Sequence, residues 1–491
     1  MLFSTWQFVL VFLPVVFAVY FLLNRWRWVR AAKLFLVAAS LYFYAYWSVA
    51  DLGVVLLSIG GNFAFGSWLA QSHGGPGPVR LRKAVLGAAI ALNLLALAYF
   101  KYADFLIGNL NALAGSSHPA LNLALPLAIS FFTFTQIAYL VDSYRGETAE
   151  YGLANYCLFV TFFPHLIAGP IVHHGQLMGQ FASPWNLVPR YPNILRGLFI
   201  FGLGLGKKLM IADPLGTWAT AGFDGGQTLD FFAAWSASLS YTFQLYFDFS
   251  GYCDMAIGAA LLFNIRMPVN FDSPYKARSI QEFWRRWHIT LGAFLRDYLY
   301  VPLGGNRRGE LRTCVNLFLT FAIAGLWHGA SWMFVAWGAL HGAALVVHRL
   351  WQKLGRPLPQ AAAWALTFLF VNLTWVFFRA RSMDDALRVL AGMADVRSAF
   401  EPPAAAPSAG PVFSGWLADG LLAVLPAGLV GSLATYVAVA AAFFVASRRN
   451  SQELAAGAID ARKVLAGALL FGWALQLTIA QTSPVFLYYN F

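Results

Sequence analysis

The residue pattern with the most chemical promise in this 491-residue chain is Trp327-His328-Gly329, set near the middle of an apolar stretch covering 313–348. An ionisable group at bilayer depth is expensive to place and is retained chiefly for function. Imidazole is the least costly of these groups because it can stay neutral, and neutral imidazole is the form that takes a proton from a hydroxyl. His328 is therefore read as a general base, against the plainer alternative of a packing histidine hydrogen-bonded across a helix bundle. Ser331, three residues on, would make a Ser/His pair or, as an i,i+3 neighbour, a packing hydroxyl. A second histidine, His288, closes the run Phe283-Trp284-Arg285-Arg286-Trp287-His288. On one helix, Trp284, His288, Leu291 and Leu295 share a face, while Arg286 and Asp297 fall opposite. His288 then points into protein, with Arg285 and Arg286 at a rim where they attract an anionic ligand. The competing reading is an interfacial amphipathic helix whose Trp and Arg residues anchor at headgroup level.

Other patterns carry less. Gly202-Leu203-Gly204-Leu205-Gly206-Lys207-Lys208 lacks the phosphate-loop spacing and sits at the end of an apolar span, so small-residue helix packing explains it better. His173-His174 with Gly179 is similar to a soluble condensation-type motif, but its acidic position holds Met178, and that reading is set aside. No histidine pair has HExxH spacing, and no GxSxG elbow is present. The three cysteines, Cys157, Cys253 and Cys314, show neither a disulfide framework nor zinc spacing. No metal and no permanently bound cofactor is expected. Asp142, Asp248 and Asp254 lie in or beside apolar segments, marking either an ion path or structural pairs with basic side chains.

The elements that must position these residues are membrane helices. Hydrophobic residues make up 59% of the chain and charged ones 11%, with mean hydropathy +0.61. A soluble domain carries about 25% charge, so lipid must cover most of this surface. The formal charge of +12 does not indicate nucleic acid, because the basic residues form short clusters between apolar segments, the topogenic pattern. Runs long enough to cross about 30 Å lie near 6–23, 31–49, 52–70, 84–105, 123–142, 193–212, 230–249, 361–378, 422–447 and 462–482, with shorter or Gly-broken ones near 152–172, 250–265 and 313–348. The first lacks a basic flank before it and a small-residue cleavage site after it, so it is expected to be a retained span.

Arg25, Arg27, Arg30 and Lys33 follow the first span, and Arg80, Arg82 and Lys83 follow the third, whereas 106–122 has no Lys or Arg. The N-terminus is therefore placed outside. Residues 266–312 hold nine Lys/Arg and four acids, a cytoplasmic enrichment. As a single helix, 313–348 would run roughly 54 Å, too long for a bilayer. A hairpin broken at Gly325 and Gly329 fits the basic clusters at both ends and puts His328 at a bend deep in the membrane. The expected architecture is one all-α, polytopic domain over 1–491, with about eleven membrane helices plus re-entrant or short ones. It includes an amphipathic cytoplasmic-side segment at 266–312 and an outer-side loop at 379–421, with Pro-Ala-rich 402–411 within that loop.

Taken together, YTFQLYFDFSGYCDMAIG at 241–258, NFDSPY at 270–275, EFWRRWH at 282–288, LRDYLYVPLGGN at 295–306, GLWHGA at 325–330 and WGALHG at 337–342 form one string of motifs. LPLAISFFTF at 125–134, FPHLIAGP at 163–170, the opening Met1-Leu2-Phe3-Ser4 and Ser483-Pro484 extend it. The string closely resembles the membrane-bound O-acyltransferase family, in its bacterial alginate O-acetyltransferase branch, over essentially the whole chain. The resemblance implies a helical domain in the bacterial inner membrane with a central tunnel from a cytoplasmic funnel to the outer face. His328 would be the catalytic base and His288 the second histidine near the tunnel, with Trp327, Ser331, Asn270, Trp284, Arg285, Arg286 and Asp297 as candidate tunnel or substrate residues. Acetyl-CoA would be the cytoplasmic donor. The acceptor would be an outer-side hydroxyl, on a periplasmic partner that passes acetyl to an exopolysaccharide, alginate or alginate-like. One departure is at Val172-His173-His174, where a different basic residue is expected. The rival reading is a transporter or flippase of acyl groups or lipid-linked saccharide, for which inverted repeats would be the sign.

Overall fold

A computed structural model describes residues 1–74, 78–148, 152–400 and 427–480, and within these the chain is helix, turn and loop with no strand. The Pro-Ala-rich 402–411 stretch and Ser483-Pro484 lie outside the described residues. Among the described residues, seven helices are long and apolar enough to cross a membrane: Gln7–Arg25, Val49–Gln71, Val79–Ala114, Glu310–His328, Trp332–Lys353, Gln360–Arg379 and Ala461–Ala480. Nineteen residues, the shortest of these, rise about 28 Å at 1.5 Å each, close to the hydrocarbon thickness. Further apolar helices, among them Val29–Ala45, Ile129–Arg145 and Tyr191–Gly206, complete the bundle.

Its axis is the 32-residue helix Phe231–Leu262, begun by the Asp230 cap on the Ala233 amide and buried along nearly all its length. The expected separate runs at 230–249 and 250–265 are thus one helix. Gly251 and Gly258 do not break it. They admit the neighbouring 191–206 helix, since a Cβ on Gly204 would strike the Gly251 carbonyl and one on Gly258 the Gly197 carbonyl. The Gly-Lys-Lys segment is accordingly a packing face. Its lysines enter the core to pair with acids, Lys207 with Asp254 and Lys208 with Asp248 and Asp213, each at 2.6 Å. Asp248 and Asp254 therefore belong to buried ion pairs.

The 313–348 stretch is a hairpin, as its length and basic ends require, but its two arms are each long enough to cross. Glu310–His328 has 19 residues and Trp332–Lys353 has 22. Their open ends are tied by Glu310 to Arg349 (2.6 Å) and Lys353 (2.8 Å). The bend lies at the opposite end, where the Trp332 indole donates to Asn109 at 2.8 Å, beside the loop without basic residues. His328 therefore sits a full helix length from the basic clusters, not at mid-span. The arms touch backbone to backbone, because a Cβ on Gly338 would collide with the Phe321 carbonyl and one on Gly325 with the Phe334 carbonyl.

Two expectations need correction. The 283–295 segment is not one helix: Ile280–Arg286 ends, His288 takes a left-handed conformation (φ +46°), and Ile289–Leu295 begins anew. The 379–421 segment is not all loop, since Met383–Ala394 forms a helix capped by Ser382 on the Asp385 amide. Ala386, Val389 and Met393 of that helix are buried at i,i+3/i+4 spacing, an amphipathic pattern that the charged Arg381–Arg388 stretch obscures.

Candidate functional site

The site is built at the blunt end of the 310–328 helix. An α-helix leaves its last four carbonyls without intrahelical donors. Here Gly329 adopts an extended conformation and Ser331 caps the return helix through the Met333 amide (3.2 Å), so the chain itself supplies no cap. The missing donors arrive from the distant 79–114 helix, at its π-helical turn 98–102. Lys101 Nζ donates to the carbonyls of Trp327 (2.6 Å) and His328 (3.2 Å) and to Ser130 Oγ (3.1 Å). Tyr102 Oη donates to the Leu326 carbonyl at 2.8 Å. Three consecutive carbonyls around His328 are thereby held, and a cation stands at the negative end of the helix dipole. π-Helical turns recur at functional sites because they re-aim side chains.

The His328 ring is enclosed, with only 2% of the residue exposed. Aromatic edges surround it: Trp327 at 4.8 Å, Trp337 at 5.1 Å and Phe378 at 5.1 Å between ring centroids. Trp327 stacks on Phe134 at 4.9 Å, and its other side meets the His288 ring at 6.5 Å. The two sequence-predicted histidines thus flank one indole. That indole Nε1 is buried without a hydrogen-bond partner among the described residues, and so is His288 Nε2. His288 Nδ1 donates to Asn270, so its Nε2 is an acceptor. An orphaned buried donor or acceptor costs about 1–3 kcal/mol, and one of each on neighbouring rings marks a place where substrate or water completes the bonding.

His288 is fixed from behind. Its Nδ1 lies 3.2 Å from Asn270 Oδ1, which also accepts from the Thr290 amide (3.2 Å) and hydroxyl (2.9 Å). The left-handed turn at His288 is therefore pinned by one carboxamide, and Asn270 is a positioning residue 1% exposed. Complete burial lowers the His288 pKa to about 3, so the ring is uncharged at any physiological pH.

The remaining expected residues divide. Trp284 reaches the site region indirectly: its indole donates to His341 Nδ1 at 3.2 Å, while His341 Nε2 meets Thr374 Oγ1 at 3.0 Å. Thr374 gives its own proton to the Val371 carbonyl (2.9 Å), so His341 is the neutral Nε2–H tautomer and both its nitrogens are spent. Ser331 is the helix cap, not a nucleophile paired to His328. Arg286 binds Glu282 (3.0 Å) and Asp272 (3.4 Å), Asp297 binds its neighbour Arg296 (2.7 Å), and Arg285 is exposed. Arg286 and Asp297 are thus engaged by neighbouring charges, and Ser331 by the helix it caps. On the basic side, a cleft of about 1080 Å³ opens between the 332–353 and 360–379 helices. Arg278, His348 and Arg356 stand among its lining residues, as does Phe370, which packs on the His341 ring at 5.3 Å.

Lys101, Tyr102 and His341 were missed by reasoning on motifs. Lys101 carried a usable signal, a lone cation within an otherwise apolar stretch.

Residues 5–383 match the membrane-bound O-acyltransferase family, MBOAT. A peptidoglycan O-acetyltransferase of Helicobacter pylori is 48% identical over 423 residues, 80% of this chain and 80% of that protein. A probable alginate O-acetylase of Pseudomonas aeruginosa is 42% identical over 405 residues, 80% of this chain and 75% of its own length. A teichoic acid D-alanyltransferase of Bacillus subtilis is 25% identical over 280 residues, 54% of this chain and 71% of that protein.

Proposed function

The chain belongs to the membrane-bound O-acyltransferase family and is a multi-pass membrane O-acetyltransferase, and from that premise we propose that His328 is the base that activates the acceptor hydroxyl. The reading is carried by one observation: an enclosed imidazole at a held helix end, beside an indole N–H that has no partner among the described residues.

Acetyl-CoA is the proposed donor, entering from the cytoplasmic side of the inner membrane, where Arg278 and Arg356 at the cleft suit its phosphates. The acceptor comes from the outer face, on the side of the N-terminus. His328 removes the hydroxyl proton as the oxygen attacks the thioester carbonyl, and a C–O bond forms. Negative charge gathers on the carbonyl oxygen, within reach of the Trp327 N–H. Collapse breaks the C–S bond, the proton on His328 passes to the departing thiolate, and CoA returns to the cytoplasm. General-base help of this kind is worth about 10²–10⁴-fold. Neutral His288, held by Asn270, presents Nε2 to the same space and orients donor or acceptor.

The immediate acceptor is proposed to be a periplasmic protein that relays acetyl to a polysaccharide. An alginate-like exopolysaccharide is the first reading for that polymer. Peptidoglycan is the second, favoured by the 48% identity to a peptidoglycan O-acetyltransferase. With labelled acetyl-CoA and purified protein in liposomes, thioester cleavage and label on an acceptor hydroxyl are expected. Label crossing the bilayer with its thioester intact would instead establish a transporter. Comparing acetyl content of exopolysaccharide and peptidoglycan in cells lacking the protein decides the polymer.

A further inference from the structure

A second cluster of ionisable groups lies away from the histidine pair and is used by no step above. Asp142 lies in the last turn of the 129–145 helix, fully buried, and His173 and His174 reach it as the cap and first residue of the 174–182 helix. His173 Nε2 lies 2.6 Å and His174 Nδ1 3.1 Å from Asp142 Oδ2, and the three ligand atoms fall within 4.8 Å of one another. Tyr298 Oη is 2.8 Å from both Asp142 Oδ2 and His173 Nε2, and 3.0 Å from Asp142 Oδ1.

The hydrogen-bond accounting at His174 is informative. Its Nε2 lies 3.2 Å from the Glu147 carbonyl, which can only accept, so the ring proton belongs on Nε2. Nδ1 then presents a lone pair to a carboxylate oxygen at 3.1 Å. Two acceptors at that separation repel unless a cation, a proton or a metal lies between them. The surroundings fit a metal. A ligating imidazole characteristically gives its other N–H to a backbone carbonyl, and a ligating carboxylate is itself hydrogen-bonded. His174 has the first partner and Asp142 has the second, Tyr298. The His173 side chain is 38% exposed, which provides an entry path and an open coordination position.

We propose that Asp142, His173 and His174 form a binding site for a divalent transition metal of the Zn²⁺ class, with Tyr298 orienting the carboxylate. Two imidazoles and one carboxylate suit Zn²⁺ and its neighbours, whereas Mg²⁺ and Ca²⁺ require mostly oxygen ligands. Three protein ligands with a fourth position open to water match known zinc geometry. The metal competes with protons for these ring nitrogens, so uptake weakens as pH falls. The ion would tie three segments together: the end of the 129–145 helix, the start of the 174–182 helix and the 296–300 turn. From Tyr298 a file of rings runs through Phe294 (5.0 Å) and Phe134 (4.1 Å) to Trp327 (4.9 Å), so the clamp bears on the wall of the His328 chamber.

The test uses the full chain purified in detergent, loaded with Zn²⁺ or Co²⁺ and desalted. About one metal per chain is expected, with the intense visible absorption of low-coordinate Co²⁺. D142N and H174A should lose the metal and Y298F should hold it about 10–100-fold more weakly, whereas H118A, altering an exposed histidine outside the cluster, should keep it. H174C adds a check that survives misfolding of the alanine variant, since it should gain a thiolate-to-Co²⁺ charge-transfer band. Wild-type protein that retains no metal and gives only the spectrum of hydrated Co²⁺ overturns the proposal. Equal retention by wild type and H174A, marking adventitious binding elsewhere, overturns it as well. Neither result depends on acetyl transfer, so failure here is distinct from failure of the His328 assignment.

Discussion

Lys101→Met removes the charge but keeps an unbranched chain, and its effect follows from the three oxygens that Lys101 serves. The carbonyls of Trp327 and His328 and the Ser130 hydroxyl lose their shared donor. Each buried carbonyl left alone costs about 1–3 kcal/mol, together about 2–6 kcal/mol. A cation at a helix C-terminus adds up to about 2 kcal/mol more. Against this, the variant no longer desolvates an ammonium, itself worth several kcal/mol. The terms oppose, so we predict a net stability change within about 2 kcal/mol. Position is not offset in this way. The carbonyl of His328 is no longer anchored, and a displacement near 1 Å at a reacting group costs about 10²-fold. Steady-state acetyl transfer in liposomes should show kcat reduced about 10–100-fold, with KM for the donor nearly unchanged because Lys101 is assigned no substrate contact. Tyr102→Phe, losing one bond to Leu326, should be milder by an order of magnitude. Folded Lys101→Met protein with wild-type kcat would refute the positioning role.

Other outcomes follow from single contacts. Ser331→Ala should lower stability by about 1 kcal/mol through loss of a helix cap and leave kcat intact; a large fall in kcat would restore Ser331 as a reacting group. Asn270→Ala strips the acceptor shared by His288 and Thr290; we predict about 1–3 kcal/mol lost in denaturant unfolding, with activity lowered further by release of the His288 turn. The Arg379 guanidinium beside Asp224 holds its carboxyl below the usual carboxylate range. A depressed folded pKa gives stability that is present above the unfolded value of about 3.9 and lost as pH falls through the folded one. Thermal unfolding should therefore drop more steeply below about pH 4 in wild type than in D224N, and parallel curves would rule out the pair as a contributor.

What could be read from residues alone was whatever is local. Apolar length gave the crossing helices, basic clusters gave the hairpin's two ends, and the Trp-His-Gly motif marked His328. The pairing of His328 with Trp327 and His288 was foreseeable as motif, though not as geometry. The cap on the 310–328 helix was not legible, since Lys101 and Trp327 are 226 residues apart and nothing in either neighbourhood requires the other. The break at His288 was hidden because a left-handed non-glycine residue has no periodicity signal, and the carboxamide that pins it, Asn270, is 18 residues away. Helical phase set Arg286 at a ligand rim and Asp297 on the same face opposite His288, but once the helix breaks that phase no longer applies. Their nearest opposite charges claim them.

The most direct measurement is the single-turnover rate of acetyl transfer by His328→Gln in liposomes, with insertion and folding checked by monodispersity in detergent. Glutamine retains a polar side chain of similar reach but cannot act as a base at neutral pH. Assigning proton removal to His328 predicts a loss of at least about 10²-fold at unchanged donor affinity. A folded variant transferring acetyl at the wild-type rate would contradict it.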